Sequence, residues 1–271
     1  MAELANKHLD GSTFTRVSLK EARFEDVYLT DAHFHDIDFS RARIRAARLD
    51  DVTMRGVIAT RLELYGEFEE LLVNGVNVLP LVEAELDARM PERTKMRPSD
   101  PEGFREAFAI VERLWGEAVE RARGLAPEHL HESVDGEWSF VETLRHLNFA
   151  YAVWIDGTIR GIADPWHPLD LPWDQAPTIE GVPRDREVRP SMDEVVAQRD
   201  RHRATVGEVL DGLTPERLAE TVESAVPFNA DWGPYDVAKC LTIVLNEEWE
   251  HRLYAERDLA AIDNATLAEP T

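Results

Sequence analysis

The sequence predicts a multidomain chain: a short N-terminal repeat segment, then an all-α, up-down four-helix bundle with long crossover loops. Three observations predict it. Large apolar residues recur every five positions through the first sixty residues. Four long stretches with helical apolar periodicity follow a proline-rich joint. Two irregular segments, rich in proline and tryptophan, lie between those stretches.

The chain has 271 residues, enough for one large or two modest domains. Its net charge of -23 argues against nucleic acid as a partner, because a DNA binder neutralises phosphates with Lys and Arg. The single cysteine, Cys240, excludes an intrachain disulfide and suits a reducing cytoplasm. No apolar run approaches the roughly 18 residues of a membrane span. The N-terminus lacks the charged-then-apolar layout of a signal peptide. A soluble cytoplasmic protein without a membrane partner is expected.

The repeat comes first. Phe14, Leu19, Phe24, Leu29, Phe34, Phe39, Ile44, Leu49 and Met54 hold one register, and Leu64 resumes it after Ala59. Two positions earlier a smaller or branched residue recurs, as at Val17, Ala22, Val27 and Ala32. A period of five fits neither a helix nor a strand. These units, such as Ala32-His-Phe34 and Ala42-Arg-Ile44, resemble the pentapeptide-repeat family. The resemblance implies a short right-handed quadrilateral β-solenoid over residues 1–66, with Phe and Leu pointing into the coil. Some members of that family mimic duplex DNA and bind topoisomerases. That needs an acidic rod, and residues 1–66 carry eleven acids against ten bases. A scaffold for a protein partner or a homodimer is the expected role. His33 and His35 fall on surface positions of the pattern.

Residues 67–100 read as a capping and linking segment. A hairpin turning at Asn74-Gly75 precedes a short helix with Pro80 in its first turn. Three prolines between Pro91 and Pro101 interrupt any helix, and the boundary to the bundle is expected there. Residues 101–263 form the bundle and 264–271 a tail. The first helix spans about 102–124, with Phe104, Phe108, Val111, Trp115, Val119 and Ala122 on one stripe. The second, about 139–159, and the third, about 191–213, each open on a capping box: Ser139 with Glu142, and Ser191 with Glu194. The fourth spans about 235–262. Residues 161–190 form a loop long enough to be functional or a cover over something; it carries Trp166, His167 and Trp173. The second irregular stretch, 226–234, carries Trp232, which is expected with Trp154 to serve as a core or lid aromatic.

The fourth helix holds the candidate chemistry. Glu247 and His251 are four apart, so they share one helix face with Cys240, Val244 and Ala255. A carboxylate set in an apolar stripe needs a partner or a metal. On the second helix His146 stands among Leu144, Leu147 and Phe149. A metal would satisfy both anomalies, and so would a hydrogen bond from Glu247 to either histidine.

The Trp138-Ser segment leading to Leu144-Arg-His146-Leu, and the Glu247-Glu-Trp-Glu-His251-Arg segment, resemble the DinB-like four-helix-bundle metalloproteins. The resemblance covers about residues 102–262. Such proteins typically bind a divalent metal through three histidines, one on the second helix and a His-x3-His pair on the fourth. His146 and His251 match two of them, and Glu247 stands where the third is expected. The implied ligand set is therefore His146, Glu247 and His251, with zinc, nickel or iron as the metal. Two His and one carboxylate leave positions open for water or substrate. Glu248 is the competing ligand, and Glu250 reads as solvated.

Arg199 and His202, on one stripe of the third helix, are candidate pocket residues that could hold an anion. Cys240 and Trp173 are further pocket candidates, Cys240 chiefly as small core filler. His129 and His131 sit in a Pro-containing connector and are expected in solvent. The resembled family implies a metal-dependent transferase, isomerase or hydrolase acting on a small molecule, with a low-molecular-weight thiol as cofactor in some members. The alternative is a metal-stabilised module whose repeat segment binds a protein. No G-x-S-x-G, phosphate-binding glycine loop or dinucleotide fingerprint is present.

Overall fold

The computed structural model describes residues 4–268 apart from 26, 45–46, 175 and 230–233. Trp232 therefore lies outside the described residues. The chain divides into two units, Met1–Tyr65 and Gly66–Thr271.

In the first unit the five-residue period is written into the backbone. Asn6, Gly11, Arg16, Glu21, Asp31, Asp36, Arg41, Asp51 and Gly56 all take left-handed conformations, with φ between 52° and 71°. Only two of these are glycines, and such φ is uncommon for other residues. Turns close by Ser12 N–H to Leu9 C=O, and likewise from Ala22 to Leu19, Ala32 to Leu29 and Ala42 to Phe39, at 2.9–3.1 Å. The left-handed residue is third in each turn, as a type II geometry requires. The large apolar row is not enclosed: Leu9 is 44% exposed and Ile44 68%, with the others between. Each coil of a repeat is covered only by its neighbours, and this segment is short.

The second unit opens with β1 (Leu72–Val73) and β2 (Val76–Asn77), paired antiparallel with Val73 opposite Val76. Asn74 and Gly75 both have positive φ, the I′ turn that a two-residue hairpin favours. Helix α1 (Leu79–Arg89) follows. The proline-rich stretch expected as a domain boundary belongs to this unit instead. Its 3-10 turn Pro91–Met96 buries Met96 in one core with Phe104 and Phe108, and Arg93 bonds Glu83 and Asp87 of α1 at 2.7 and 2.6 Å. Prolines stop a helix, yet they do not stop packing.

Four long helices build the rest: α2 (Pro101–Ala122), α3 (Phe140–Tyr151), α4 (Met192–Asp211) and, after the one-turn α5 (Pro215–Leu218), α6 (Val237–Ala268). Helix α6 packs on α2 and α3, and α3 packs on α4. Asp100 caps α2 by accepting from Gly103 N–H at 2.9 Å. Ser139 and Ser191 form the two capping boxes. Helix α3 is buried on every side except at Glu142, so its polar residues all meet protein. Strands β3 (Thr221–Val222) and β4 (Tyr235–Asp236) pair antiparallel just ahead of α6. No described helix is long and apolar enough to cross a membrane.

Helix α3 continues as a π-helix over Ala152–Ile159, where Thr158 Oγ1 donates to Val153 C=O at 2.9 Å. Gly157 sits here because a Cβ would stand 2.6 Å from Val226 Cγ1 and 3.2 Å from Ala152 O. Gly157→Ala should therefore destabilise the protein by about 1–3 kcal/mol through overpacking. Chemical denaturation with an unchanged midpoint would refute that.

Candidate metal centre

Helix α3 delivers His146 and α6 delivers Glu247 and His251, one turn apart on a single face. Ligand-capable atoms of the three lie within 4.8 Å of one another. Glu247 Oε2 is 3.0 Å from His251 Nε2 and 3.4 Å from His146 Nε2. The two imidazoles meet edge-on, with centroids 5.0 Å apart. Trp138, just ahead of α3, lies 4.5 Å from the His146 ring and stacks on His251 at 5.7 Å. Its indole N–H donates to Asp174 at 3.1 Å, and Asp174 pairs with Arg186 at 2.8 Å.

The protons follow from the partners. His146 Nδ1 is 3.0 Å from the Leu171 carbonyl. A carbonyl only accepts, so Nδ1 carries the hydrogen and Nε2 turns toward Glu247. Burial lowers the His146 pKa and outweighs the Glu247 carboxylate, so the ring favours its neutral form. Burial works to raise the Glu247 carboxyl, but its contacts with the His146 and His251 rings hold it well below the usual carboxylate range. An ionised carboxylate thus faces a neutral imidazole whose Nε2 offers a lone pair. His251 can donate a hydrogen bond to Glu247, whereas His146 Nε2 has no proton to donate. The donor set suits a cation, and the Leu171 carbonyl fills the outer position that orients a ligating histidine. The side chains of His251 and Glu247 are 20% and 34% exposed, so the cluster reaches solvent.

A family model described as the DinB superfamily matches residues 110–255, more than half of the chain. The chain belongs to the DinB superfamily. A second model, pentapeptide repeats in nine copies, matches residues 2–43. Comparison with curated proteins and with solved structures finds no match. DinB domains often bind a divalent metal, and the His146, Glu247 and His251 cluster lies inside the matched DinB segment.

The other candidates have definite partners of their own. Arg199, expected to hold an anion in a pocket, is closed off in a bidentate pair with Glu248, Nη1–Oε1 2.8 Å and Nη2–Oε2 2.7 Å. Glu248, the competing ligand, is 0% exposed and committed to that pair, about 100° round α6 from Glu247. His202 is also inward, its Nδ1 3.4 Å from Asp156 and its ring stacked on Tyr151 at 5.5 Å. Cys240 is fully buried, and burial, then Asp236, pushes its thiol up to about 12. It is core filler rather than a nucleophile. Trp173 packs with Trp166 and Phe228 around Phe149, whose ring lies 6.3 Å from His146. His129, His131 and Glu250, expected in solvent, are each half-buried.

Two residues near the centre escape sequence reasoning. Asp170 is 0% exposed in the loop between α3 and α4, and burial pushes its carboxyl up to about 6. Leu171, equally buried, presents the carbonyl that sets His146. Neither belongs to a recognisable spacing; a backbone carbonyl leaves no trace in composition.

Proposed function

We propose that this DinB-superfamily protein binds one divalent metal ion through His146, Glu247 and His251. The observation that supports it most is the His146 Nε2 lone pair turned on the ionised Glu247, with Nδ1–H held by Leu171. His146 and Glu247 would supply a buried and a half-exposed ligand, and His251 the third, leaving a position toward solvent. A metal so held supplies a Lewis acid and lowers the pKa of a bound water or low-molecular-weight thiol. Zinc, nickel and iron all suit two imidazoles and a carboxylate.

The reaction this arrangement suits is a small-molecule transfer, isomerisation or hydrolysis. Glu247 fixes the geometry from α6, Trp138 closes one side of the two imidazoles, and the 161–190 loop covers His146. The four long helices read as an up-down four-helix bundle, and the N-terminal segment as a short β-solenoid in a cytoplasmic protein. A second reading is a metal-stabilised, non-enzymatic module. The half-exposed apolar row of the repeat favours it, as a surface for a protein partner or a second copy.

Metal content of the purified protein tests the proposal. Wild-type protein should hold about one ion per chain, and saturation to about 100 times Kd should raise the melting temperature by about 5–10 °C. Glu247→Ala should lose most of both, whereas Glu248→Ala, if folded, should keep the ion. Metal-free wild-type protein that also ignores added zinc, nickel and iron would overturn it.

A further inference from the structure

We propose that Asp170 is the positioning residue of the metal centre: it pins the 167–171 turn to α4, and so holds the Leu171 carbonyl that fixes His146 as its Nδ1–H tautomer. The proposal rests on the metal-binding reading for its consequence and on geometry for its mechanism.

The loop between α3 and α4 has no regular structure from 160 to 191 among the described residues, yet Asp170 and Leu171 are both 0% exposed. Both carboxylate oxygens of Asp170 are engaged. One accepts the backbone N–H of His167 at 2.9 Å, and the other accepts Gln198 Nε2 of α4 in a short hydrogen bond. The Asp170 N–H returns to the His167 carbonyl at 2.9 Å, which closes the turn. Gln198 is itself 2% exposed, so the anchor is rigidly placed.

The next residue delivers the consequence. Leu171 N–H donates to the Arg145 carbonyl at 3.3 Å, and Leu171 C=O accepts from His146 Nδ1 at 3.0 Å. Arg145 Nε adds a bond to the Leu169 carbonyl at 2.7 Å. One strut therefore runs from α4 through Gln198 and Asp170 to Leu171 and His146. Adjacent Cα atoms are about 3.8 Å apart, so a shift of Asp170 is felt at the next carbonyl.

A carboxylate here is not a packing requirement. Burying one is costly, and no ion pair reaches Asp170 among the described residues. What it provides is two acceptors on one rigid group, one for the turn and one for α4. Asparagine cannot replace it: its amide nitrogen would face one of two donors.

The test uses two readouts on the full-length chain. Histidine 15N labelling of metal-free protein gives the His146 tautomer from long-range 1H–15N correlations. Competition against a chromophoric chelator gives zinc(II) affinity. Wild type should show the Nδ1–H form. Asp170→Asn should admit the Nε2–H form and weaken zinc binding about 10–100-fold, the usual cost of removing a ligand's outer partner. A variant that melts lower but keeps the wild-type tautomer and affinity overturns the proposal, since that is loop anchoring alone. Should Asp170→Asn fail to fold, Gln198→Met, which removes one donor and leaves the turn, is read by the same criteria. If wild type takes up no zinc while the tautomer still responds to Asp170→Asn, the metal-binding reading fails and the positioning role stands.

Discussion

His146→Ala abolishes metal binding while the helical unit stays folded. This is the largest expected functional effect, because His146 is the proposed ligand whose geometry is fixed from both sides. Its Nδ1–H is held by Leu171 and its Nε2 is turned to Glu247. The loss should exceed the ~10–100-fold that removal of an outer partner costs, and metal content should drop from about one ion per chain to background. Equilibrium dialysis against zinc and nickel measures it; a fully loaded variant would remove His146 from the ligand set. The same geometry sets the pH dependence. Metal needs the neutral ring, and burial lowers the His146 pKa. Proton competition at His146 should therefore begin only below the ordinary histidine value of about 6.5. Binding should persist in mild acid and fall as the pH drops further. A His146 ring that titrates above that value in the metal-free protein would mean that burial does not govern it.

Much of the candidate centre was legible because its proposed ligands lie on helices. A helix repeats every 3.6 residues, so Glu247 and His251 could be placed on one face without coordinates. The capping boxes fixed where α3 and α4 begin, since a Ser three residues before a Glu satisfies two orphan donors at once. The Asn74-Gly75 hairpin was readable for a similar reason: few residue pairs accept two left-handed conformations in a row. Where the sequence misled, the cause was tertiary. The stripe holding Arg199 and His202 looked like a pocket wall because period alone does not say which partner a charged side chain meets. Glu248 and Asp156 meet them. The prolines of 91–101 suggested a boundary because they end helices, but Met96 and Arg93 fasten that stretch to α1 and α2. In the repeat, the period of five reappears in the backbone as left-handed turn residues at that spacing among the described residues. The exposure of the apolar row could not be read from the period, since burial depends on how coils meet.

Arg199→Met should destabilise the protein by about 3–5 kcal/mol, the cost of breaking a buried ion pair from one side. For a unit of this size that is a fall in melting temperature of about 6–20 °C. Glu248 is 0% exposed, and the variant leaves it with no other cation in the ion pairs among the described residues. Burial works against the Arg199 charge, but the Glu248 carboxylate outweighs it and raises the Arg199 pKa, so the guanidinium keeps its charge at any accessible pH. The stack of the guanidinium 5.1 Å from the Trp115 ring is lost as well. Glu248→Leu should cost less, because Arg199 keeps Glu112 at 3.9 Å. The double variant Arg199→Met/Glu248→Leu should recover most of the loss, since no uncompensated charge remains. Trp115 Nε1 is unaffected, as it bonds the Glu248 backbone carbonyl at 3.1 Å. The cycle also separates the two acidic neighbours on α6. If the double variant binds metal like wild type, Glu248 is a strut of the core and Glu247 the ligand. If metal is lost with stability restored, the assignment moves from Glu247 to Glu248, and the buried pair becomes a resting state of the centre rather than a part of the scaffold.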